Sequence, residues 1–230
     1  MGTGFGPCPG RQKQRFLPHF WAAALLTGEP VVLKDCPRLK DVSNMLAILQ
    51  TLGPVHTGKR DGEIAIDASC AQGWEMPDEL SKQLRSSIFM MGSILGRFRR
   101  ATVTYPGGCE IGLRPIDLHL SGLRALGVKI TEAHGMIYCD GSEMRGGEVQ
   151  LDFPSVGATE NVMMAAVLSK GQTVIHNAAR EPEIWDLQNF INAMGGKVSG
   201  AGSSTIFIEG VEHLHGAVYS PLPTGSWRAR

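Results

Sequence analysis

The feature that most limits how this 230-residue chain can fold is an internal repeat. Residues 23–67 read A-A-L-L-T-G-E-P-V-V-L, then a charged helix-like stretch ending in T-L-G-P-V, then E-I-A-I-D. Residues 166–209 read A-V-L-S-K-G-Q-T-V-I-H, then a similar stretch ending in A-M-G-G-K-V, then T-I-F-I-E. Gly28 corresponds to Gly171, Gly53 to Gly195 and Ile66 to Ile208, at offsets of 143, 142 and 142 residues. A looser copy lies between them, L-S-G-L-R-A-L-G-V-K-I at 120–130 followed by M-I-Y-C at 136–139. Helix–Gly–strand punctuation alone is common to α/β proteins, but here the match holds register across three elements.

Each copy has one grammar. An apolar helix stops at a glycine, which suits the left-handed conformation at a helix C-terminus. A short β-branched run follows, Val31 to Leu33 or Thr173 to Ile175. A second amphipathic helix ends in Leu-Gly or Met-Gly, and two strands come next. In the first copy, Met45, Ile48, Leu49 and Leu52 form a one-sided apolar stripe. Repeats near 70 residues are too long for a solenoid. The pattern predicts an α/β fold of three units around a shared core.

Composition narrows the function classes. A net charge of zero gives no reason to expect nucleic acid or an anionic membrane as partner, although Arg97, Arg99 and Arg100 make a local candidate for phosphate. The apolar stretch Phe20 to Leu26 falls well short of the roughly 20 residues of a membrane helix, and no signal-peptide cleavage pattern follows it. Cys8, Cys36, Cys70, Cys109 and Cys139 form no C-x-x-C pair and no Cys/His cluster at zinc spacing. Neither a metal site nor a disulfide framework is expected, which suits a reducing cytoplasm.

One segment concentrates reactive residue types: T-Y-P-G-G-C-E-I-G-L-R-P-I-D-L-H at 104–119. Glycines on both sides of Cys109 allow backbone to approach a ligand closely. A neighbouring cation such as Arg114 would lower the thiol's pKa toward the range useful for acid–base or nucleophilic work. Arg114 also offers a planar fork for phosphate or carboxylate. Asp117 can accept from a nucleobase or ribose, and His119 can donate or relay a proton; both can equally serve the start of the helix running to Leu126.

This segment resembles the active-site loop of the UDP-N-acetylglucosamine 1-carboxyvinyltransferase family. S-V-G-A-T-E-N at 155–161, N-A-A-R-E-P-E at 177–183 and K-Q-L-R-S-S-I at 82–88 are similar to that family too, and the resemblance runs from about residue 22 to about 218. It implies two similar lobes, each of three β-α-β-α-β-β units, with the active site in the cleft between them. The three repeats correspond to one lobe. The implied reaction moves an enolpyruvyl group from phosphoenolpyruvate to the 3-hydroxyl of UDP-N-acetylglucosamine and releases phosphate, the first committed step of peptidoglycan synthesis, without a cofactor.

By resemblance, Cys109 is the general acid, and Arg85 and Arg114 contact the anionic substrates. Pro115, Ile116, Asp117 and Leu118 hold the uridine end, while Ser155, Val156 and Gly157 form a loop near the diphosphate. Simpler roles stand beside these. Arg85 can pair with Asp78 or Glu79, Ser155 can open a capping box with T-E-N, and Arg180 and Glu183 can fix a turn and start a helix. Met163 and Met164 read as core filler.

The ends depart from the pattern. Residues 1–21 lack the family's Gly-Ala-Lys-Asn-Ala motif, and Lys13 lies near its place without matching it. Residues 219–230 leave the pattern again, so the expected organisation is a divergent 1–21, a lobe at 22–218 and a divergent tail. The second lobe carries an acidic residue and an arginine in the family. The expectation is negligible turnover without a complementary chain.

Overall fold

The computed structural model describes residues 17–36, 40–53, 55–60, 62–76, 88–105 and 116–222. Helix α1 (Leu17–Ala24), strand β1 (Val31–Leu33), helix α2 (Lys40–Thr51) and strands β2 (His56–Arg60) and β3 (Glu63–Asp67) form the first unit. The second comprises α3 (Phe89–Phe98), β4 (Arg100–Thr104), α4 (Asp117–Ala125), β5 (Lys129–Ala133) and β6 (Met136–Asp140). The third comprises β7 (Glu148–Gln150), α5 (Val156–Ala166), β8 (Gln172–His176), α6 (Pro182–Ala193), β9 (Lys197–Ser199) and β10 (Thr205–Glu209). A last strand, β11 (Val218–Tyr219), follows.

The third unit is a complete β-α-β-α-β-β module whose sheet has the order β7-β8-β10-β9, with β7 parallel to β8 and the other pairs antiparallel. The first unit repeats this order as β11-β1-β3-β2, with β11 arriving from the far end of the chain to lie parallel to β1. In the second, the leading strand shrinks to a parallel bridge between Glu75 and Thr102 beside the β4-β6-β5 sheet.

The repeat is a repeat of register. Val31 pairs with Ile66 and Leu33 with Ile64; Thr173 pairs with Ile208 and Ile175 with Ile206; Ala101 pairs with Cys139 and Val103 with Ile137. All twelve side chains are buried. Because side chains alternate across a strand, a slip of one residue would turn each set outward, so core burial fixes the pairing.

The first helices of the three units, α1, α3 and α5, pack together at the centre. Phe20 to Leu25, Met90 to Gly96 and Ala158 to Ala166 are buried on every side, as expected of a helix apolar all round. Each fully buried large apolar side chain contributes about 1.5–3 kcal/mol. Gly92 and Gly96 let α3 sit backbone against backbone on α5; a β-carbon at Gly92 would lie 2.3 Å from the Asn161 carbonyl oxygen, and one at Gly96 2.7 Å from that of Met164. Contacts progress in step along both helices, so they run in one direction. His19 near the start of α1 meets Glu160 of α5, and Arg97 near the end of α3 meets Leu25 and Thr27 beyond α1. All three inner helices therefore begin at the same end of the lobe.

The second helices behave as the sequence predicts at their ends. Gly53, Gly127 and Gly195 each follow the cap residue and adopt φ of 134°, 85° and 91°. The expected glycine stops of the first helices differ. The α1 and α5 helices end at Ala24 and Ala166, several residues before Gly28 and Gly171. Gly171 is left-handed (φ 94°), Gly28 is not, and in the second unit Arg99 caps α3 with φ 61°.

Packing reaches beyond 22–218. His19, Phe20 and Trp21 are buried, Tyr219 lies on β11, and its hydroxyl donates to Asp186 Oδ1 (2.5 Å) while the Leu222 N–H donates to Oδ2 (3.0 Å). Asp186 on α6 thereby fastens the end of the chain to the third unit. Of the α2 stripe, Met45, Ile48, Leu49 and Leu52 are fully buried.

Candidate functional site

The start of α5 carries Ser155, Val156 and Gly157. Ser155 is the N-cap in extended conformation, and its Oγ accepts from the Ala158 N–H at 3.4 Å. The reciprocal half of a capping box is absent, because the third helical position is alanine. Glu160 instead turns into the core, with Oε1 3.3 Å from His19 Nδ1. Helix geometry leaves the amides of Val156 and Gly157 without an intrahelical acceptor, at the positive end of the helix dipole.

The start of α4 lies alongside. Ile116 occupies the N-cap without a side-chain cap bond; Ile116 and Leu118 are buried, and Asp117 is exposed in the first turn. Asp117 is therefore an acidic residue favourable at a helix start and not a cap. The capping role considered for His119 is also absent. His119 is buried, and its Nδ1 lies 2.7 Å from Asn161 Nδ2. Burial pushes its pKa down to about 4, so the ring is neutral at pH 7.

The imidazole joins the two segments. A β-carbon on Gly157 would fall 2.9 Å from His119 Cε1 and 3.0 Å from Phe89 Cε1, so only glycine fits against this ring. Asn161 also accepts from the Gly92 N–H (2.6 Å) and donates to the Ile88 carbonyl (3.0 Å). The starts of α3, α4 and α5 thus converge on one asparagine, and Ile116, Asp117 and Leu118 are brought beside Ser155, Val156 and Gly157. Cys109, Arg85, Arg114 and Pro115 lie outside the described residues. Sequence reasoning missed Asn161, Gly92 and Phe89; the one available signal was asparagine one turn after Gly157 in S-V-G-A-T-E-N.

The three other arginines considered for phosphate are occupied within the fold. Arg97 donates to the carbonyls of Leu25 (2.8 Å), Thr27 (2.9 Å) and Ala68 (2.7 Å). Arg99 donates to the Leu168 carbonyl, and Arg100 stacks on Trp74, 3.2 Å from the ring centroid. The cause is topological: these residues lie in the last turn of α3 or just beyond it, away from the converging helix starts. Pro182 and Glu183 open α6, as the turn reading of that motif implies. Burial pushes the Cys36 thiol up to about 11 and the Cys139 thiol up to about 12, which leaves both inert near neutral pH. Among the described residues no group of three His, Cys, Asp or Glu is placed to hold a metal ion, and no helix is long and apolar enough to cross a membrane.

The family profile of EPSP synthase (3-phosphoshikimate 1-carboxyvinyltransferase) matches residues 15–223. The chain belongs to the EPSP synthase family. Within that family its similarity lies with relatives that act on a nucleotide sugar. It is 53% identical over 203 residues to UDP-N-acetylglucosamine 1-carboxyvinyltransferase 2 of Caldanaerobacter subterraneus, covering 88% of this chain and 48% of the relative. It is 49% identical over 203 residues, with the same coverage, to UDP-N-acetylglucosamine 1-carboxyvinyltransferase of Finegoldia magna. The chain spans about half the length of these relatives. The crystal structure of the enolpyruvyl transferase NikO from Streptomyces tendae superposes with a TM-score of 0.79 at 19% identity, over 92% of this chain and 50% of that one, which establishes the enolpyruvyl transferase fold. The three units of the chain are those of one lobe of that fold.

Proposed function

We propose that this chain supplies one wall of an enolpyruvyl transferase site that takes UDP-N-acetylglucosamine and phosphoenolpyruvate. The observation that carries the reading is the meeting of the 116–119 and 155–161 segments at one end of the lobe, in a chain 45–53% identical to transferases named for that sugar nucleotide. Helix starts with open amides suit a diphosphate. The buried Ile116 and Leu118 and the exposed Asp117 suit a nucleoside with an apolar face and a donating edge.

In this reading, the 3-hydroxyl gives up its proton to an acidic residue of the facing lobe as its oxygen attacks C2 of phosphoenolpyruvate, while Cys109 delivers a proton to C3. The resulting adduct loses phosphate and a methyl proton, restoring the double bond on the sugar-linked product. Arg85 and Arg114 hold the anionic groups, and residues 22–218 make up the lobe together with the packed flanks from His19 to Trp21 and from Tyr219 to Leu222. Arg85 is three residues before Ile88, and Arg114 two before Ile116, in the chain segments that lead into α3 and α4. The place is a reducing cytoplasm and the pathway is peptidoglycan synthesis. The facing lobe comes from elsewhere in the assembled enzyme.

Two measurements test this. Alkylation of Cys109 by an epoxide phosphonate should accelerate on adding UDP-N-acetylglucosamine, and labelling indifferent to the nucleotide sugar would contradict an assembled site. Mixing the chain with the second lobe of a relative should restore phosphate release by about 10⁴-fold or more, the scale of positioning and electrostatic catalysis. Binding without restored turnover would reduce the chain to a UDP-sugar-binding module.

A further inference from the structure

The contact between α4 and α5 determines which imidazole nitrogen of His119 carries the proton. Asn161 is completely buried, and its carboxamide orientation is fixed by two backbone partners. The Gly92 N–H requires an acceptor, so Oδ1 faces it, and the Ile88 carbonyl requires a donor, so Nδ2 faces that. The second N–H of Nδ2 is then directed at His119 Nδ1, 2.7 Å away, which must accept. A neutral imidazole that accepts at Nδ1 carries its hydrogen on Nε2. The ring edge formed by Cε1 and Nε2 lies against Gly157; a β-carbon there would be 2.9 Å from Cε1 and 3.3 Å from Nε2.

We propose that His119, locked by Asn161 as the uncharged Nε2–H tautomer, is a positioning residue that sets the Gly157 backbone amide against the anionic end of a nucleoside diphosphate. The inference rests on the substrate reading above and adds the device that holds the cradle in place. It acts through Gly157: Asn161 ties the starts of α3 and α4 to the second turn of α5, and the ring fills the space under the first turn. Without the ring, Gly157 has room to sink inward. Without the Nδ1 acceptor, a buried N–H of Asn161 loses its partner and the carboxamide is free to turn. An uncharged ring holds this geometry without placing a buried cation beneath the helix start.

The test compares wild type with His119→Leu, which removes the acceptor, and His119→Asn, whose Oδ1 can replace it. ¹⁵N chemical shifts of wild type at pH 7 should show a protonated Nε2 and a bare, hydrogen-bonded Nδ1. The Gly157 amide resonance should move in His119→Leu and stay near its wild-type position in His119→Asn, and the Kd for UDP should rise about tenfold or more in the first and stay within about threefold in the second, the scale expected for one stranded buried N–H. A merely structural role would lower the melting temperature of His119→Leu without changing UDP affinity per folded molecule. An Nδ1–H tautomer or an imidazolium in wild type overturns the proposal, and so do a Gly157 resonance and a UDP affinity that ignore both variants. The tautomer measurement needs no variant, so it stands even where His119→Leu fails to fold. Wild type that shows the expected tautomer and Gly157 response yet does not bind UDP overturns the substrate reading and leaves the lock intact.

Discussion

The two ends of the inner helix layer of α1, α3 and α5 are treated oppositely, and α4 joins only one of them. At the end where α1 and α5 finish, the chain consumes its own polar groups: Arg97 caps carbonyls at Leu25, Thr27 and Ala68, and Arg99 caps Leu168. At the end where α3, α4 and α5 begin, α5 has a serine cap at 3.4 Å and α4 has no side-chain cap. Cationic side chains complement the negative end of a helix, so the first arrangement spends its guanidinium groups on the fold's own carbonyls, although Arg99 Nη1 is buried without a partner. The second leaves amides at a positive end, which an anionic ligand can use. Arginines near helices are therefore no guide to where phosphate binds unless the end they occupy is known.

The comparison can be broken at its frame. Gly92→Ala forces a β-carbon to within 2.3 Å of the Asn161 carbonyl, where only backbone can give way. It should cost about 3 kcal/mol or more in urea unfolding and weaken UDP binding as well, since α3 and α5 would separate at the binding end. Arg97→Ala acts at the opposite end. Losing three carbonyl contacts at a partly buried site should cost about 2–3 kcal/mol, with UDP affinity per folded molecule unchanged. An equal loss of binding would mean that the two ends are not separable.

A pH comparison sharpens the account of the binding end. Burial lowers the folded-state pKa of His119 from 6.5 to about 4. Its neutral form thus contributes stability that is fully present above pH 6.5 and is lost as pH falls from there toward 4. Between pH 7.5 and 5, wild type should lose about 2 kcal/mol more than His119→Asn, measured by denaturant unfolding at each pH. The smallest effect belongs to Ser155→Ala. Its long cap bond should be worth about 1 kcal/mol or less, with a matching small weakening of UDP binding.

Much of this architecture was legible in the chain because the repeat is local. Ile66 and Ile208 occupy equivalent rungs, and Gly53, Gly127 and Gly195 end equivalent helices, since register and caps are written within a few residues of each other. What was hidden is non-local. Strand β11 completes the first sheet from almost 190 residues away, held by Tyr219 and Leu222 on Asp186, and no periodicity signals that. The contact of His119 with Asn161 spans 42 positions. The run Arg97, Arg99 and Arg100 reads as an anion site until the fold shows which helix end it closes.

The most direct test of the central claim is a titration of the ¹⁵N-labelled chain with UDP, followed amide by amide. The account predicts saturable shifts concentrated at residues 116–119 and 155–159, with Gly157 among the largest, and none at Thr27, Ala68 or Leu168. Shifts centred on the Arg97 end, or no saturable shift at all, would contradict it.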